Sequence, residues 1–379
     1  MKRTARYGAI ALALTLGLAA CGSDKKNVEA TDSTKPGGTT APSSVKLKVA
    51  FVYIGPVGDG GWTDRHDAGR KAMIEKLGDK VEVTVLQSIK DDASSEKTFQ
   101  DLARKGNKLI FATSFGYGDP MLKIAKDFPA TCFEWATGFK TADNLGTYFG
   151  AAEEARYLAG IAAAHASKNG KIGYVAAFPI PEVLRGINAF TLGVRSVKPT
   201  ATVQVVWTST WFDPKVEKQA AESLVVKGVD VLAQHQDSTA VGEAAKAANI
   251  KWVGYNDDKA SVAPDAWLTA PVWNWGGYYT KATQSVLDGK CDNGQYYGTM
   301  ADGLVALAPF GSSVDQAAKD HIAKVQQTII DGTFHPFTGP IKDQSGKEIL
   351  KDKEVAKLGA LLGTDYFVEG VIGNIPKSK

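Results

Sequence analysis

The chain has 379 residues, of which 44% are hydrophobic and 22% are charged, and it carries 44 basic and 41 acidic side chains. The small basic excess is accounted for by Lys2, Arg3 and Arg6 at the start of the chain. Without them the charges balance, which excludes a net basic field that would attract nucleic acid. About 335 residues follow position 44, a length that suits two domains.

The first twenty residues predict an export signal. A short basic start precedes an uncharged run over 8–20 that is rich in Leu and Ala. This run is too short for a dependable membrane span, which needs about 20 apolar residues, and it fits the apolar region of a signal peptide. It leads into Ala19-Ala20-Cys21-Gly22, which resembles the bacterial lipobox. We therefore predict a signal peptide over 1–20 and lipidation of Cys21, the alternative being an ordinary signal peptide with an incidental cysteine.

Residues 21–44 have almost no large apolar side chain and are rich in Ser, Thr, Gly, Pro and Lys. Such a segment cannot bury enough surface to offset its ordering entropy. We predict a lipid-anchored flexible linker that spans about 25–30 Å.

The two other cysteines, Cys132 and Cys291, would meet an exported compartment that permits disulfides. Their spacing alone leaves both a disulfide and two separate buried thiols open.

The body of the chain alternates predicted strands and helices. The first series has strands at 48–54, 81–86, 109–113, 131–135 and 145–149, and helices at 62–77, 94–105, 121–127 and 153–167. The second series has strands at 171–177, 202–208, 231–233, 251–255 and 267–270, and helices at 181–197, 215–227, 240–248 and 277–287.

This alternation predicts an α/β protein in which parallel sheets are covered by helices on both faces. Two successive series predict two doubly wound lobes. We expect an N-terminal lobe of residues 45–168 plus about 270–295, and a C-terminal lobe of residues 169–269 plus about 296–379.

The segments that follow the predicted strands are rich in aromatic and hydrogen-bonding side chains. In open parallel sheets, ligands bind beyond the carboxyl ends of the strands. Such side chains could hold a planar ring between aromatic faces while amides and carboxylates contact its edge, although any single aromatic could equally be a packing residue. The predicted ligand-binding residues are Asp59, Trp62, Tyr117, Asp119, Phe178, Trp211, Phe212, Gln236, Asn256, Asp258 and Trp273.

Catalytic and metal-binding signatures are absent from the sequence, which has no HExxH, no GxSxG and no Cys/His cluster. The glycines of 55–61 match neither GxGxxG nor a P-loop, and predict a tight turn. His66-Asp67 suggests an acid–base pair, but neighbouring helical residues face different directions, which favours a surface or capping role. A metal at Asp257-Asp258 is disfavoured. We predict no catalytic residue, cofactor or metal ion.

These residues resemble the basic membrane protein family, the purine nucleoside-binding lipoproteins of ABC importers. The resemblance runs from about residue 48 to the C-terminus, and Glu153-Glu154-Ala155-x-Tyr157-Leu158-Ala159-Gly160 is its most specific part. The other segments that carry it are 58–63, 146–164, 171–174, 212–214, 228–231, 254–258 and 268–270.

The resemblance implies a type I periplasmic-binding fold, in which two doubly wound parallel-sheet lobes joined by crossovers close over a purine. It implies an ABC permease in the membrane as partner, a lipid-anchored location outside the cytoplasm, and stacking of Trp62 on the base. Nucleoside-binding members commonly have an acidic residue at Asn256 and a lysine at Trp273, and these contact the ribose. A free purine base such as adenine is therefore the better expectation than a nucleoside.

Three alternatives remain open from the sequence. A sugar-binding protein would also use aromatic side chains, which stack on pyranose faces. A chemoreceptor input would bind the same ligand and signal to a membrane partner. A surface purine nucleoside hydrolase would need a tight Asp cluster for a divalent metal, which is not seen after the first predicted strand.

Overall fold

The computed structural model describes residues 45–376. The predicted signal peptide over 1–20, the lipidated Cys21 and the linker over 21–44 lie outside these residues. Within the described range, no helix is both long enough and apolar enough to cross a membrane.

Strands and helices alternate along most of the described chain. The strands are β1 Leu47–Val52, β2 Val81–Leu86, β3 Leu109–Ala112, β4 Cys132–Ala136, β5 Leu145–Gly150, β6 Lys171–Ala176, β7 Thr202–Trp207, β8 Val231–His235, β9 Lys251–Val253, β10 Trp267–Thr269, β11 Pro271–Trp273, β12 Gln295–Gly298, β13 Val305–Leu307, β14 Ile341–Lys342, β15 Glu348–Leu350 and β16 Val371–Ile372. The helices are α1 Trp62–Leu77, α2 Ser95–Arg104, α3 Gly118–Asp127, α4 Ala152–Ala166, α5 Pro181–Val197, α6 Pro214–Val226, α7 Ala240–Ala247, α8 Gly276–Leu287, α9 Gln316–Ile330 and α10 Leu358–Leu362.

The strands form two six-stranded sheets in which every neighbouring pair is parallel. The first has the order β12-β5-β4-β3-β1-β2 and the second the order β10-β9-β8-β6-β7-β16. Strands β3, β4 and β8 are buried along their whole length, as expected where helices cover both faces of a parallel sheet. The predicted α/β fold with two parallel sheets is confirmed.

The strand order of each sheet reverses beside its first strand. The chain passes from β1 outward to β2 and then returns to β3 on the other side of β1. Strand β6 is likewise flanked by β7 and β8. At such a reversal the loops leaving the two strands diverge and leave a crevice at their carboxyl ends. Each sheet therefore has one such crevice.

The last ninety residues add one strand to each sheet, and the sequence pattern predicted no strand or helix after residue 287. Strand β12 extends the first sheet and β16 extends the second, while α9 packs on α4. The residue limits of the two lobes stay a prediction.

Two local predictions are resolved by the structure. A disulfide joins Cys132 at the start of β4 to Cys291 after α8, across 159 positions of sequence and with a Cα–Cα distance of 5.4 Å. The sequence also predicts that Ser94 caps the helix over 94–105; this is wrong, because the Ser94 hydroxyl donates to Asp92 and makes no bond to α2.

Candidate functional site

A cavity lies where the carboxyl ends of the two sheets face each other. It has an empty volume of about 420 Å³, part of which is open to solvent. The elements of the first sheet contribute Ile54, Trp62, Ser114, Phe115 and Thr137. Those of the second contribute Glu182, Trp211, His235, Asp237, Tyr255 and Asn256. Residues that follow β1 and β3 thus meet residues at the end of β8, so both strand-order reversals open onto one cavity.

The loop before α1 brings the two sheets together. Gly58 and Gly60 have φ of 98° and 68°, and their N–H groups donate to the carboxylate of Asp64. At Gly61 any side chain would place its Cβ 2.9 Å from the backbone of Asp237, so only glycine permits this approach. The predicted tight turn is confirmed, with its glycine N–H groups at 58 and 60 bonded to Asp64.

Trp62 is the first residue of α1, and its indole is held from three sides. Its Nε1–H donates to the carbonyl oxygen of Thr113 at 2.5 Å. The rings of His66 and Trp275 contact it edge-on, with centroids at 4.2 and 5.7 Å. These contacts fix the orientation of the indole in the cavity wall, which limits the entropy that a stacked ligand would cost.

Aromatic side chains of the second sheet form another part of the wall. Trp211 packs on Phe178, with ring centroids 5.0 Å apart. His235 contacts Tyr255 at 4.4 Å, and the guanidinium of Arg156 lies 3.7 Å from the Tyr255 ring centroid. Arg156 is fully buried on α4, so its charge is placed directly behind this wall.

Glu182 and His235 form a buried pair, with Nε2 and Oε1 3.2 Å apart. Burial lowers the pKa of His235, the neighbouring Glu182 carboxylate partly offsets this, and the charges of Arg156 and Arg185 lower it again, so the net downward shift favours the neutral imidazole at pH 7. Burial alone would raise the pKa of Glu182, but His235, Arg185 and Arg156 together lower it. The site therefore presents an ionised carboxylate that accepts from His235 and has capacity for a ligand N–H.

Asp237 and Asn256 form a second polar group in the cavity. Asn256 adopts a φ of 69°, which asparagine tolerates better than most residues. Its Nδ2 donates to Asp237 Oδ1 at 2.7 Å, while its Oδ1 accepts from the indole of Trp273 at 2.8 Å. Burial raises the pKa of Asp237, and the neighbouring Asp59 raises it further. Both ends of the Asn256 amide are thus already used to orient Asp237 and Trp273.

Residues 46–336 match the profile of a family described as Bmp, ABC transporter substrate-binding protein PnrA-like. The chain belongs to this Bmp family. It is 46% identical to the purine-binding protein BAB2_0673 of Brucella abortus, over 90% of this chain and 97% of that protein. It is 38% identical to a putative ABC transporter glucose-binding protein, TsgA13, of Haloferax volcanii, over 94% of this chain and 86% of that one.

A solved structure supports the fold. An ABC transporter solute-binding protein from Aeropyrum pernix superposes with a TM-score of 0.68 at 20% identity, covering 78% of this chain and 93% of that one. The family profile and the Brucella relative confirm the resemblance to the basic membrane protein family, and the protein is an ABC transporter substrate-binding protein.

Of the binding residues predicted for this Bmp-family chain, three line the cavity: Trp62, Trp211 and Asn256. Two more lie one layer behind. Phe178 packs on Trp211, and Trp273 is 1% exposed, with its indole stacked on Trp275 at 5.0 Å. Trp273 therefore touches the cavity lining through the hydrogen bond that it donates to Asn256.

The other six predicted residues do not line the cavity. Asp59 accepts from the N–H groups of Gly61, Thr63 and Asp64 and so shapes the loop before α1. Four others lie elsewhere. Tyr117 is buried in a separate hydrophobic cluster and donates to the Ile89 carbonyl. Asp119, Phe212 and Asp258 are exposed, and Asp258 accepts from the Ala260 N–H.

Gln236 was predicted in the right segment, but its two neighbours and not Gln236 line the cavity. Side chains alternate direction along an extended chain, so His235 and Asp237 face one way and Gln236 faces the other. The amide of Gln236 donates to Thr208 Oγ1 at 2.5 Å, while His235 and Asp237 line the cavity.

The sequence analysis did not predict Arg156 and Glu182, and it assigned His66 the wrong role. Arg156 lies on α4 and Glu182 at the start of α5, whereas the predicted site residues were taken from the segments that follow strands. The signal for Arg156 was a lone cation in a helix of small apolar residues. The surface or capping role suggested for His66 is wrong, because the ring is fully buried and stacked on Trp275 at 4.7 Å.

The described residues contain no group of three or more His, Cys, Asp or Glu side chains that could hold a metal ion. Asp257 of the disfavoured metal pair instead bonds Arg65 at 3.1 Å.

Proposed function

We propose that this protein binds a purine in the cavity and delivers it to the membrane permease of an ABC importer. The observation that carries the proposal is the convergence of Trp62 and Trp211 with the carboxyl groups of Glu182 and Asp237 at both strand-order reversals. Flat heterocycles stack on indoles, and carboxylates accept hydrogen bonds from the N–H groups on their edge. The purine-binding relative from Brucella supports the same ligand class.

Within this class, a free base such as adenine is the proposed ligand. At the Asn256 position, where the family resemblance implies a ribose contact, a nucleoside would need donors and acceptors that are not already paired, because buried hydroxyls without partners weaken binding. Both ends of the Asn256 amide are bonded to Asp237 and Trp273. Lys259 is buried, and its Nζ donates to the Asp237 carbonyl at 2.7 Å.

A sugar is the second candidate, and the glucose-binding name of the Haloferax relative favours it. Aromatic rings and carboxylates also recognise pyranoses. Calorimetry distinguishes the purine from the sugar candidate, provided that the protein is first unfolded, freed of bound ligand and refolded. We expect adenine to bind more tightly than adenosine, and glucose not to bind. Binding of glucose without binding of any purine would replace the purine proposal.

We further propose that the protein is exported, anchored through Cys21, and does not transform its ligand. The lipobox-like segment supports the anchor. The family supports a transport role. The alternative is a chemoreceptor input that binds the same ligand and signals to a membrane partner. Incubation with adenosine, inosine and guanosine should leave all three intact. Release of free base beyond one equivalent, abolished by a cavity substitution, would show an enzyme.

A further inference from the structure

A second cavity adjoins the candidate site. It has an empty volume of about 680 Å³, part of which is open to solvent, and Phe115, Thr137 and Glu182 line both cavities. The two cavities therefore lie side by side, and a ligand group that extends past these three residues would enter the second cavity. A bare purine would leave this second space unfilled.

The wall of the second cavity is mostly apolar. Besides Phe115 it includes Phe139, Phe149, Pro181 and Leu362. Its charged members already have partners, since Glu182 is paired with His235 and Arg185 with Glu153 at 3.3 Å. Arg185 also donates to the Leu361 carbonyl at 3.0 Å. An apolar group gains from such surroundings, whereas a sugar would lose hydrogen bonds to water.

Phe139 lines this cavity and has half of its surface exposed. Its ring stacks on Phe115 at 5.9 Å and contacts Trp135 at 5.5 Å. Exposed aromatic surface that continues into a binding cavity is typical of a wall that a ligand covers.

Glu182 determines where on the base the apolar group would be attached. It is the ionised carboxylate shared by both cavities, so an exocyclic amino group that donates to it lies at their junction. A secondary amine at that position keeps one N–H for Glu182 and directs its substituent into the second cavity.

We propose that the ligand is an adenine whose exocyclic N6 amino group carries an apolar alkyl or aryl substituent, and that the substituent occupies the second cavity. This inference rests on the proposed purine-binding function. It deepens that function by defining a substrate class that neither a free unsubstituted base nor a nucleoside satisfies.

The test is calorimetry of the refolded full-length protein with adenine, N6-dimethylallyl adenine and N6-benzyladenine. Each buried methylene is worth about a four-fold gain in affinity, so a partly buried substituent should give at least about a ten-fold gain over adenine. Leu362→Trp, which places a larger side chain in the second cavity, should lower the ratio of the two affinities towards one. Leu358→Trp, on the same short helix but outside the lining, is the matched control and should keep the wild-type ratio.

The outcomes separate the two claims. Adenine binding that the substituents do not strengthen overturns the inference and leaves the purine proposal intact. Equal ratios for wild type and a folded Leu362→Trp variant also overturn it, because the substituent then lies elsewhere. If none of the purines binds, both proposals fail.

Discussion

Arg65 of α1 and Asp257, which follows β9, form an ion pair between elements of the two sheets, with Nη1 and Oδ1 3.1 Å apart. The same guanidinium donates to the Trp273 carbonyl from Nη2 at 2.9 Å and from Nε at 3.2 Å. Together with the Trp62 N–H bond to Asp237 at 3.3 Å, these contacts link the two sides of the cavity. A cleft that closes on its ligand would depend on them.

Arg65→Gln should therefore favour an open cleft. The pair is about one-third exposed, so its contribution is small, and we expect ligand affinity to fall about two- to five-fold. Solution scattering should show a larger radius of gyration without ligand, with compaction when ligand is added. The exposed Arg104 of α2, changed to Gln, is the control. An unchanged radius and affinity would show that the pair does not hold the cleft closed.

Trp62→Ala should weaken purine binding about 5–150-fold, because stacking of a base on an aromatic side chain is worth about 1–3 kcal/mol. Trp62→Phe should keep much of the affinity, since a flat ring remains. Trp207→Ala removes an indole that donates to the Asn374 carbonyl outside the cavity, and serves as the control for lost stability. Calorimetry on variants with a normal melting transition measures the effect, and wild-type affinity in Trp62→Ala would rule out stacking.

Glu154 should make stability depend on pH in a defined direction. Burial raises its pKa to about 7, above an ordinary value of 4.5. Its stabilising contribution is therefore present below pH 4.5 and is lost as pH rises through 7, because the unfolded chain releases the proton first. Glu154→Gln keeps an acceptor for the Met300 N–H, which donates to Glu154 Oε2 at 2.7 Å.

The gain in unfolding free energy from Glu154→Gln should thus be about 1–3 kcal/mol larger at pH 8 than at pH 5. Denaturant titrations of both proteins at both pH values measure this difference, and the pH 5 pair is the internal control. A difference that is the same at both pH values would show that Glu154 is ionised in the folded protein throughout.

The disulfide between Cys132 and Cys291 should stabilise the first sheet, because it closes a long loop in the unfolded chain. Replacing both cysteines with serine should lower the unfolding free energy by about 2–4 kcal/mol. Ligand affinity should not change, as neither residue lines the cavity. Denaturant unfolding with and without a reductant measures this loss of unfolding free energy. The reductant should have no effect on the double variant.

Cys21→Ser should release the protein from the membrane, because two or more acyl chains are needed for stable anchoring and the variant would carry none. Detergent-phase partitioning of cell extracts measures this. Cys132→Ser, which leaves the lipobox-like segment unchanged, should partition as wild type does. Equal partitioning of Cys21→Ser and wild type would contradict the proposal that Cys21 anchors the protein.

The sequence by itself determined the two parallel sheets and the edge at which the site lies. Continuous apolar strands such as 109–113 alternate with helices, and this pattern leaves few topologies, all of which place ligands at the carboxyl ends of the strands. The sequence also identified the segments that carry Trp62, Trp211 and Asn256, because each of these segments follows or ends a predicted strand.

Only the tertiary structure decided which side chain of each segment reaches the cavity. The alternating direction of side chains in an extended chain selects His235 and Asp237 over Gln236, and a one-residue shift in where a strand ends inverts that choice. Arg156 and Glu182 come from helices, and their approach to Tyr255 and His235 depends on how α4 and α5 pack. The bond between Cys132 and Cys291 likewise follows from distance in space, since two cysteines 159 positions apart in sequence give no local signal that they meet.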